Sequence, residues 1–239
     1  MTNSNFLSDY DKNTIKKLKE SKLLIIDLDG TLIDFENIDN IIIQTLFPDS
    51  KVVKFIDKML WKINKLDVLG NGYTGLKIRL KVYSLFSKYT MRQLKYKYGT
   101  MYGMLAKKEL RHVYNETLRN ILLKGYSIQI VTKNVYAPVD LVDNLKKDLE
   151  KNNLNLIFST LKKNKNKFIK ENVKTHDGKA CIIGNNLSDD IITSFILGLP
   201  YIYIGKSLIV RAIIRITNKI LKNKGIQVTR FDKTKSLWN

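Results

Sequence analysis

The chain has 239 residues, of which 44% are hydrophobic, and this suits one substantial core or a core with a small insert. Its single cysteine, Cys181, excludes an internal disulfide framework, and no apolar run reaches the roughly 18 residues that would predict a membrane span. The formal net charge of +20 suits anionic partners such as phosphorylated substrates, nucleic acid or an anionic membrane. The favoured explanation of the charge is a composition rich in Lys, Asn and Ile, which spreads lysine over solvated faces.

A polar N-terminal lead is followed by a strongly apolar strand. The lead does not resemble a signal peptide, so we expect a cytoplasmic protein, and a short helix is predicted near residues 14–19. Four large apolar residues at positions 23–26 then predict a strand that is buried on both faces, as in a parallel sheet. Gly30 breaks the run, so Asp27 and Asp29 lie where a buried strand ends.

Asp27 and Asp29 form a pair of carboxylates at a place suited to chemistry. Ligands of open α/β sheets bind at the carboxyl ends of the strands. Two carboxylates this close repel each other unless a cation or a shared proton compensates them. The pair therefore suits bound Mg²⁺, an aspartate nucleophile and a carboxylic acid that donates a proton.

The interval from residue 35 to residue 123 carries mostly helical patterns. Apolar residues recur at helical spacing over residues 52–63 and 76–86, a loop at residues 70–72 separates the two, and a further helix over residues 113–122 ends before Gly125. Four basic side chains of the interval could meet an anionic substrate, although solvated positions are favoured for all of them: Lys77, Arg79, Lys81 and Arg92.

From residue 126 onward the pattern alternates between strands and helices. Strands are predicted at residues 126–131, 155–158 and 180–183, with a last strand at 201–204. Helices are predicted at residues 138–149, 168–173 and 190–197. Such alternation indicates a parallel sheet with right-handed crossovers.

The C-terminal region predicts a basic amphipathic helix. Isoleucines fall on one helical face, at Ile209, Ile213, Ile216 and Ile220. Basic residues fall roughly opposite, at Arg211, Arg215, Lys219 and Lys222. The favoured interpretation docks the isoleucine face on the core and leaves the basic face solvated. Contact with an anionic membrane or with nucleic acid is the alternative.

Residues 23–31 resemble the first motif of the haloacid dehalogenase (HAD) superfamily, four apolar residues followed by Asp-x-Asp-Gly-Thr. The resemblance implies a Mg²⁺-dependent phosphatase in which Asp27 attacks phosphorus and Asp29 protonates the leaving group and later activates water. An acid at the second position favours phosphoryl chemistry, because the dehalogenase branch lacks it. The resemblance also implies that Gly30 and Thr31 bind substrate, that Thr31 orients Asp27, and that the backbone carbonyl of Asp29 is a metal ligand.

The second motif of the family is a Thr or Ser that ends a strand and binds a phosphoryl oxygen. Thr132 ends the strand predicted at residues 126–131 and occupies this position in the order of motifs. The resemblance implies that Lys133 and Asn134, which follow it, line the same site.

The third motif is a lysine that neutralises charge between the nucleophile and the phosphate. Residues 162–167 contain four candidate lysines. Lys165 is preferred, because Phe168 and Ile169 follow it at the spacing that the family shows, and Lys167 is the second choice.

The fourth motif is a strand that ends in Gly-Asp, followed by a second acid. Asp190 is preferred over Asp189 as the second acid, because Gly198 lies eight residues after it. Asn185 stands where the family has its first acid, and since an amide oxygen carries no charge we expect weak Mg²⁺ binding. The implied metal ligands are Asp27, Asp29, Asn185 and Asp190.

These motifs predict an α/β fold with a Rossmann-like parallel sheet core of the HAD type and an inserted helical cap. The core comprises residues 1–34 and 112–239, the cap residues 35–111, and residues 206–239 extend the core. Because a cap excludes water and selects substrate, we expect a small phosphorylated molecule as the substrate. Asn185 favours a rival interpretation, a catalytically weak binding or regulatory protein. The net charge favours another, a nucleic-acid end phosphatase, although nucleic acid is the less favoured partner.

Overall fold

A computed structural model describes residues 20–65, 72–137, 156–160, 165–204, 208–221 and 226–228. The described strands are β1 (Leu23–Asp27), β2 (Ser127–Thr132), β3 (Leu156–Thr160), β4 (Ala180–Gly184), β5 (Tyr201–Ile204) and β6 (Ile226–Val228). They form one sheet in the order β3-β2-β1-β4-β5-β6, and every neighbouring pair is parallel. The predicted α/β fold with a Rossmann-like parallel sheet is confirmed. The strand order reverses between β1 and β4, and that crevice is where open α/β sheets bind ligands.

The described helices lie mostly between β1 and β2. They are α1 (Phe35–Leu46), α2 (Lys51–Lys65), α3 (Gly72–Leu85), α4 (Met91–Val113), α5 (Arg119–Leu123), α6 (Lys165–Lys174), α7 (Ile192–Leu197) and α8 (Leu208–Leu221). π-Helical turns at Tyr114–Leu118 and Leu187–Ile191 precede α5 and α7. The helices predicted at residues 14–19 and 138–149 lie outside the described residues. The boundary predicted between residues 111 and 112 falls within α4, and the division into core and cap stays a prediction.

Alternate residues of the central strands are buried on opposite faces of the sheet, as predicted for β1. Leu24, Ile26 and Ile128 belong to a hydrophobic cluster that continues through α1, α3 and α4. Leu23 and Ile25 belong to a second cluster, on the other face, which α6 and α8 cover. The interval between β1 and β2 therefore packs directly against one face of the sheet.

A buried ion cluster lies inside this helical interval, and we call it the Arg79 cluster. Arg79 was expected to be solvated, but its side chain is buried and binds both Asp39 and Asp57. Its Nε atom also donates to the Tyr83 hydroxyl at 2.9 Å. Burial opposes the charge of the guanidinium, but Asp39 and Asp57 raise the pKa of Arg79 above its ordinary value. The expectation was wrong because helical periodicity does not reveal carboxylates on neighbouring helices.

The C-terminal helix α8 docks by a different face from the one predicted. Val210 and Ile214 are buried, whereas Ile213, Ile216 and Ile220 are 37%, 59% and 71% exposed. The sequence offers two adjacent apolar rows on this helix, and packing on the sheet selects the shorter one. The chain also contains β6, after the strand that was expected to be the last. A strand of three residues is too short for its alternation to be recognised. In the described part of the chain, no helix combines the length and apolarity that crossing a membrane requires.

Gln129 is a buried amide in the middle of β2, and its Oε1 and Nε2 atoms find no hydrogen-bond partner among the described residues. Its side chain points to the same face as Val131, into the second cluster. Burial of an unpaired amide costs roughly 1–3 kcal/mol. We therefore expect Gln129→Met, which keeps the shape and removes both polar atoms, to raise the free energy of unfolding by about 1 kcal/mol in urea denaturation. Gln129→Glu should lower it, and a methionine variant no more stable than wild type would contradict the prediction.

Candidate active site

The predicted site residues meet at the carboxyl ends of β1, β2 and β4. Lys165 Nζ, at the start of α6, donates to Asp27 Oδ1 at 2.8 Å and to Asp190 Oδ1 at 2.7 Å. Thr132, the last residue of β2, has its hydroxyl 3.3 Å from Asp29 Oδ2. The structure thus brings residues of all four predicted motifs to one edge of the sheet through side-chain contacts.

Lys165 is the lysine that lies in the site. Its side chain is only 3% exposed, whereas the side chain of Lys167, the second choice, is exposed. Burial disfavours the charged ammonium, but Asp190 and Asp27 raise the pKa of Lys165 above its ordinary value, so it stays charged. Burial raises the pKa of Asp27 to about 7, and Lys165 offsets this only partly. The site is short of positive charge around Asp27.

Asp29 has hydrogen-bond donors on both carboxylate oxygens. The Tyr102 hydroxyl, from α4, donates to Oδ1, and Thr132 Oγ1 donates to Oδ2. Burial raises the pKa of Asp29, whereas the hydrogen bonds from Tyr102, Asn134 and Thr132 lower it. The result is a raised pKa, which suits a carboxyl group that has to hold a proton before giving it away.

The loop after β2 is organised around Asn134. The backbone N–H of Asn134 donates to Thr132 Oγ1 at 3.0 Å, and Asn134 Oδ1 accepts from the backbone N–H of Tyr136 at 3.0 Å. The side chain of Lys133, between them, is half-buried. These bonds fix the Thr132 hydroxyl beside Asp29.

The turn after β1 closes around Gly30. Its φ of 75° is a left-handed conformation, and a Cβ atom there would collide with the side-chain amide of Asn185. Thr31 is buried, and its Oγ1 finds no partner among the described residues. A hydrogen bond by which Thr31 would orient Asp27 is therefore not seen in this part of the chain.

Asp190 is the acid of the fourth motif that enters the cluster. Its Oδ1 accepts from Lys165, and its Oδ2 accepts from the backbone N–H of Asn186 at 3.1 Å. A Cβ on Gly184 would collide with this carboxylate, so the glycine that ends β4 provides the space for it. The side chain of Asp189 lies outside the described residues.

The oxygen donors near Asp27 fit a Mg²⁺ site of low charge. The Asn185 side chain donates to the Asp29 carbonyl at 3.1 Å, which brings an amide and a carbonyl together beside β1. Within the described residues, no group of three or more His, Cys, Asp or Glu side chains is arranged for a metal. Mg²⁺ binds through one or two carboxylates, with waters and substrate phosphate as its other ligands. One carboxylate, from Asp27, and the neutral oxygens of Asp29 and Asn185 meet that need.

Tyr102 is the site residue that the sequence analysis missed. It lies in a buried row of α4 that includes Leu94, Tyr98 and Ala106, spaced four residues apart. An aromatic residue in such a row indicates a core position. Only its hydroxyl, together with the proximity of Asp29, gives it a second role.

No family model and no curated protein matches this chain. Several solved structures do match it. A protein described as a HAD hydrolase, YfnB from Bacillus subtilis bound to magnesium, is 18% identical, with 79% of this chain and 89% of that chain covered and a TM-score of 0.48. A 2-haloacid dehalogenase from Pseudomonas syringae is 15% identical, with coverage of 77% and 86% and a TM-score of 0.44. CbbY from Rhodobacter sphaeroides, in complex with phosphate, is 14% identical, with coverage of 77% and 86% and a TM-score of 0.43.

All three structures are at most 18% identical to this chain and match it with TM-scores of 0.48 or less. The reaction therefore has to be inferred from the residues of this chain.

Proposed function

We propose that the chain is a Mg²⁺-dependent phosphatase of the HAD type that hydrolyses the phosphate monoester of a small molecule through an aspartyl-phosphate on Asp27. The observation that carries this proposal is the buried cluster in which Lys165 bridges Asp27 and Asp190. Beside it lies a second acid, Asp29, whose pKa burial raises. A nucleophile, a fixed cation and a proton donor in one water-poor corner are what transfer of a phosphoryl group needs.

The reaction proceeds in two displacements at phosphorus. Asp27 Oδ attacks the phosphorus atom, the bond to the ester oxygen breaks, and Asp29 gives its proton to that oxygen. The Asp29 carboxylate then takes a proton from a water molecule, which attacks the aspartyl-phosphate and releases inorganic phosphate and free Asp27. Lys165 offsets negative charge in both transition states, and Thr132 with Asn134 binds a phosphoryl oxygen.

The metal would be held by the Asp27 carboxylate, the Asp29 carbonyl and Asn185. The fourth implied ligand, Asp190, is left out of this set, because its two oxygens accept from Lys165 and from the backbone N–H of Asn186. When bound, Mg²⁺ supplies positive charge against the phosphoryl oxygens and keeps the buried Asp27 ionised.

A screen of phosphorylated metabolites tests the proposal. Phosphate release is measured with Mg²⁺ and with a chelator, and the intermediate is trapped with hydroxylamine, which cleaves acyl phosphates. Mg²⁺-dependent turnover with a trapped intermediate supports the proposal. Binding of phosphate esters without turnover would instead favour the catalytically weak binding protein that Asn185 suggests.

Asn185→Asp is expected to lower the Mg²⁺ concentration that gives half-maximal activity. An anionic oxygen attracts a hard cation more strongly than an amide does. Mg²⁺ binds through one or two carboxylates, and the proposed site supplies only that of Asp27, so it can accept a second. The measurement is a Mg²⁺ titration of phosphate release for wild type and variant. Asn186→Asp, next to it on the chain, is the control for added negative charge. An unchanged or higher half-saturating concentration in Asn185→Asp would remove Asn185 from the metal site.

The choice of substrate and partner belongs to the same proposal. We favour a small substrate, because the helical interval reaches the site through the hydrogen bond from Tyr102 to Asp29. The net charge of +20, with Arg215, Lys219 and Ile216 exposed on α8, also suits contact with an anionic surface. Oligonucleotide binding that falls steeply with salt would favour a nucleic-acid end phosphatase instead. The cytoplasmic location stays a prediction.

A further inference from the structure

The helical interval between β1 and β2 reaches the proposed acid through Tyr102. This residue lies in the middle of α4, and its hydroxyl donates to Asp29 Oδ1. Thr132, at the end of β2, holds the other oxygen. The Asp29 carboxyl group is thus held from two sides, by the sheet and by the helices that pack over it.

The position of Tyr102 is fixed by its surroundings. Its side chain is fully buried. Its ring stacks on the ring of Tyr98, one turn earlier, with the two centroids 6.4 Å apart. The centroid of the Phe35 ring lies 6.0 Å away on another side. Burial and the nearby Asp29 raise the pKa of Tyr102 well above its ordinary value, so the hydroxyl keeps its proton and acts as a donor.

The polar contacts continue into the interior of the helical interval. The Tyr98 hydroxyl donates to Asp39 Oδ1 at 2.5 Å, and Asp39 binds Arg79. Tyr102 thus bonds the acid and Tyr98 bonds the Arg79 cluster, and the two side chains meet through their stacked rings.

We propose that Tyr102 is a positioning residue for the acid, which orients the Asp29 carboxyl group toward the leaving oxygen and ties that orientation to the packing of α4. The inference rests on the proposed phosphatase function. A tyrosine that served only the core would affect all substrates alike. A tyrosine that acts through the acid affects most the substrates whose leaving group needs a proton.

Two probes separate these roles. The phenoxide that leaves phenyl phosphate is basic enough to gain from protonation, whereas dinitrophenyl phosphate releases a stable anion. A positioned general acid typically raises the reaction rate 10²–10⁴-fold. We therefore expect Tyr102→Phe to slow the single-turnover release of phenol from phenyl phosphate about 10- to 100-fold. Release from dinitrophenyl phosphate should fall less than about threefold. KM for phenyl phosphate should change little.

Tyr98→Phe is the matched control. It removes a hydroxyl of equal burial from the same helix and the same ring stack, but that hydroxyl donates to Asp39. The ratio of the two release rates should stay as in wild type. In an Asp29→Asn background, Tyr102→Phe should have no further effect on phenyl phosphate, because the group through which it acts is gone.

Each outcome supports or contradicts the proposed role of Tyr102. A changed ratio in Tyr102→Phe that vanishes in the Asp29→Asn background supports the proposal. Equal losses with both probes, or the same change in Tyr98→Phe, overturn the role of Tyr102 and leave the phosphatase proposal standing. A wild-type protein that releases phosphate with Mg²⁺ from neither probe and from none of the screened metabolites overturns both.

Discussion

Asp27→Asn should abolish turnover and leave the fold intact. An amide cannot form the acyl phosphate, and loss of a covalent nucleophile costs on the order of 10⁴-fold or more in kcat. The fold should tolerate the change, because Asn is isosteric with Asp and the burial that raises the pKa of Asp27 also penalises its charge. Steady-state phosphate release and thermal unfolding are the two measurements.

Asp34→Asn is a suitable control for this substitution. Asp34 caps α1 by accepting from the backbone N–H of Asn37, and asparagine caps a helix equally well. This variant should keep both activity and stability. More than about a tenth of the wild-type rate in Asp27→Asn would rule out Asp27 as the nucleophile.

Lys165→Met should damage both activity and stability. Removal of the ammonium leaves Asp27 and Asp190 buried without their shared cation, and breaking a buried ion pair on one side costs about 3–5 kcal/mol. The loss should be smaller at acidic pH, since burial raises the pKa of Asp27 to about 7 and its carboxyl group is then neutral. Activity should fall about 10³-fold or more, because a preorganised charge opposite the phosphoryl group is lost.

Lys167→Met tests whether the effect depends on the position of Lys165 or only on the loss of one positive charge. Lys167 belongs to the same basic run, but its side chain is exposed, so this variant should unfold and turn over as wild type does. Denaturant unfolding and phosphate release are measured on both variants. If Lys167→Met lost activity and Lys165→Met did not, the lysine of the site would have been assigned wrongly.

The sequence alone located the edge of the sheet where these side chains meet. A continuous apolar run that ends at Asp27 and a glycine break at Gly30 are local signals, and a strand buried on both faces is the simplest structure that satisfies them. Lys165 was singled out by the resemblance to the HAD motifs, because Phe168 and Ile169 follow it at the spacing that the family shows, and it begins α6. These features depend on residues close together in the chain.

Tertiary structure alone decided the contacts between distant segments. The sequence analysis did not single out Tyr102 and expected Arg79 to be solvated. Packing brought Tyr102 to Asp29 and Arg79 to the Asp39–Asp57 pair. The docked face of α8 was likewise chosen by the surface that it meets. Helical and strand periodicity record which side of an element is apolar. They carry no information on which polar group of another element lies opposite, because that is fixed only when the chain folds.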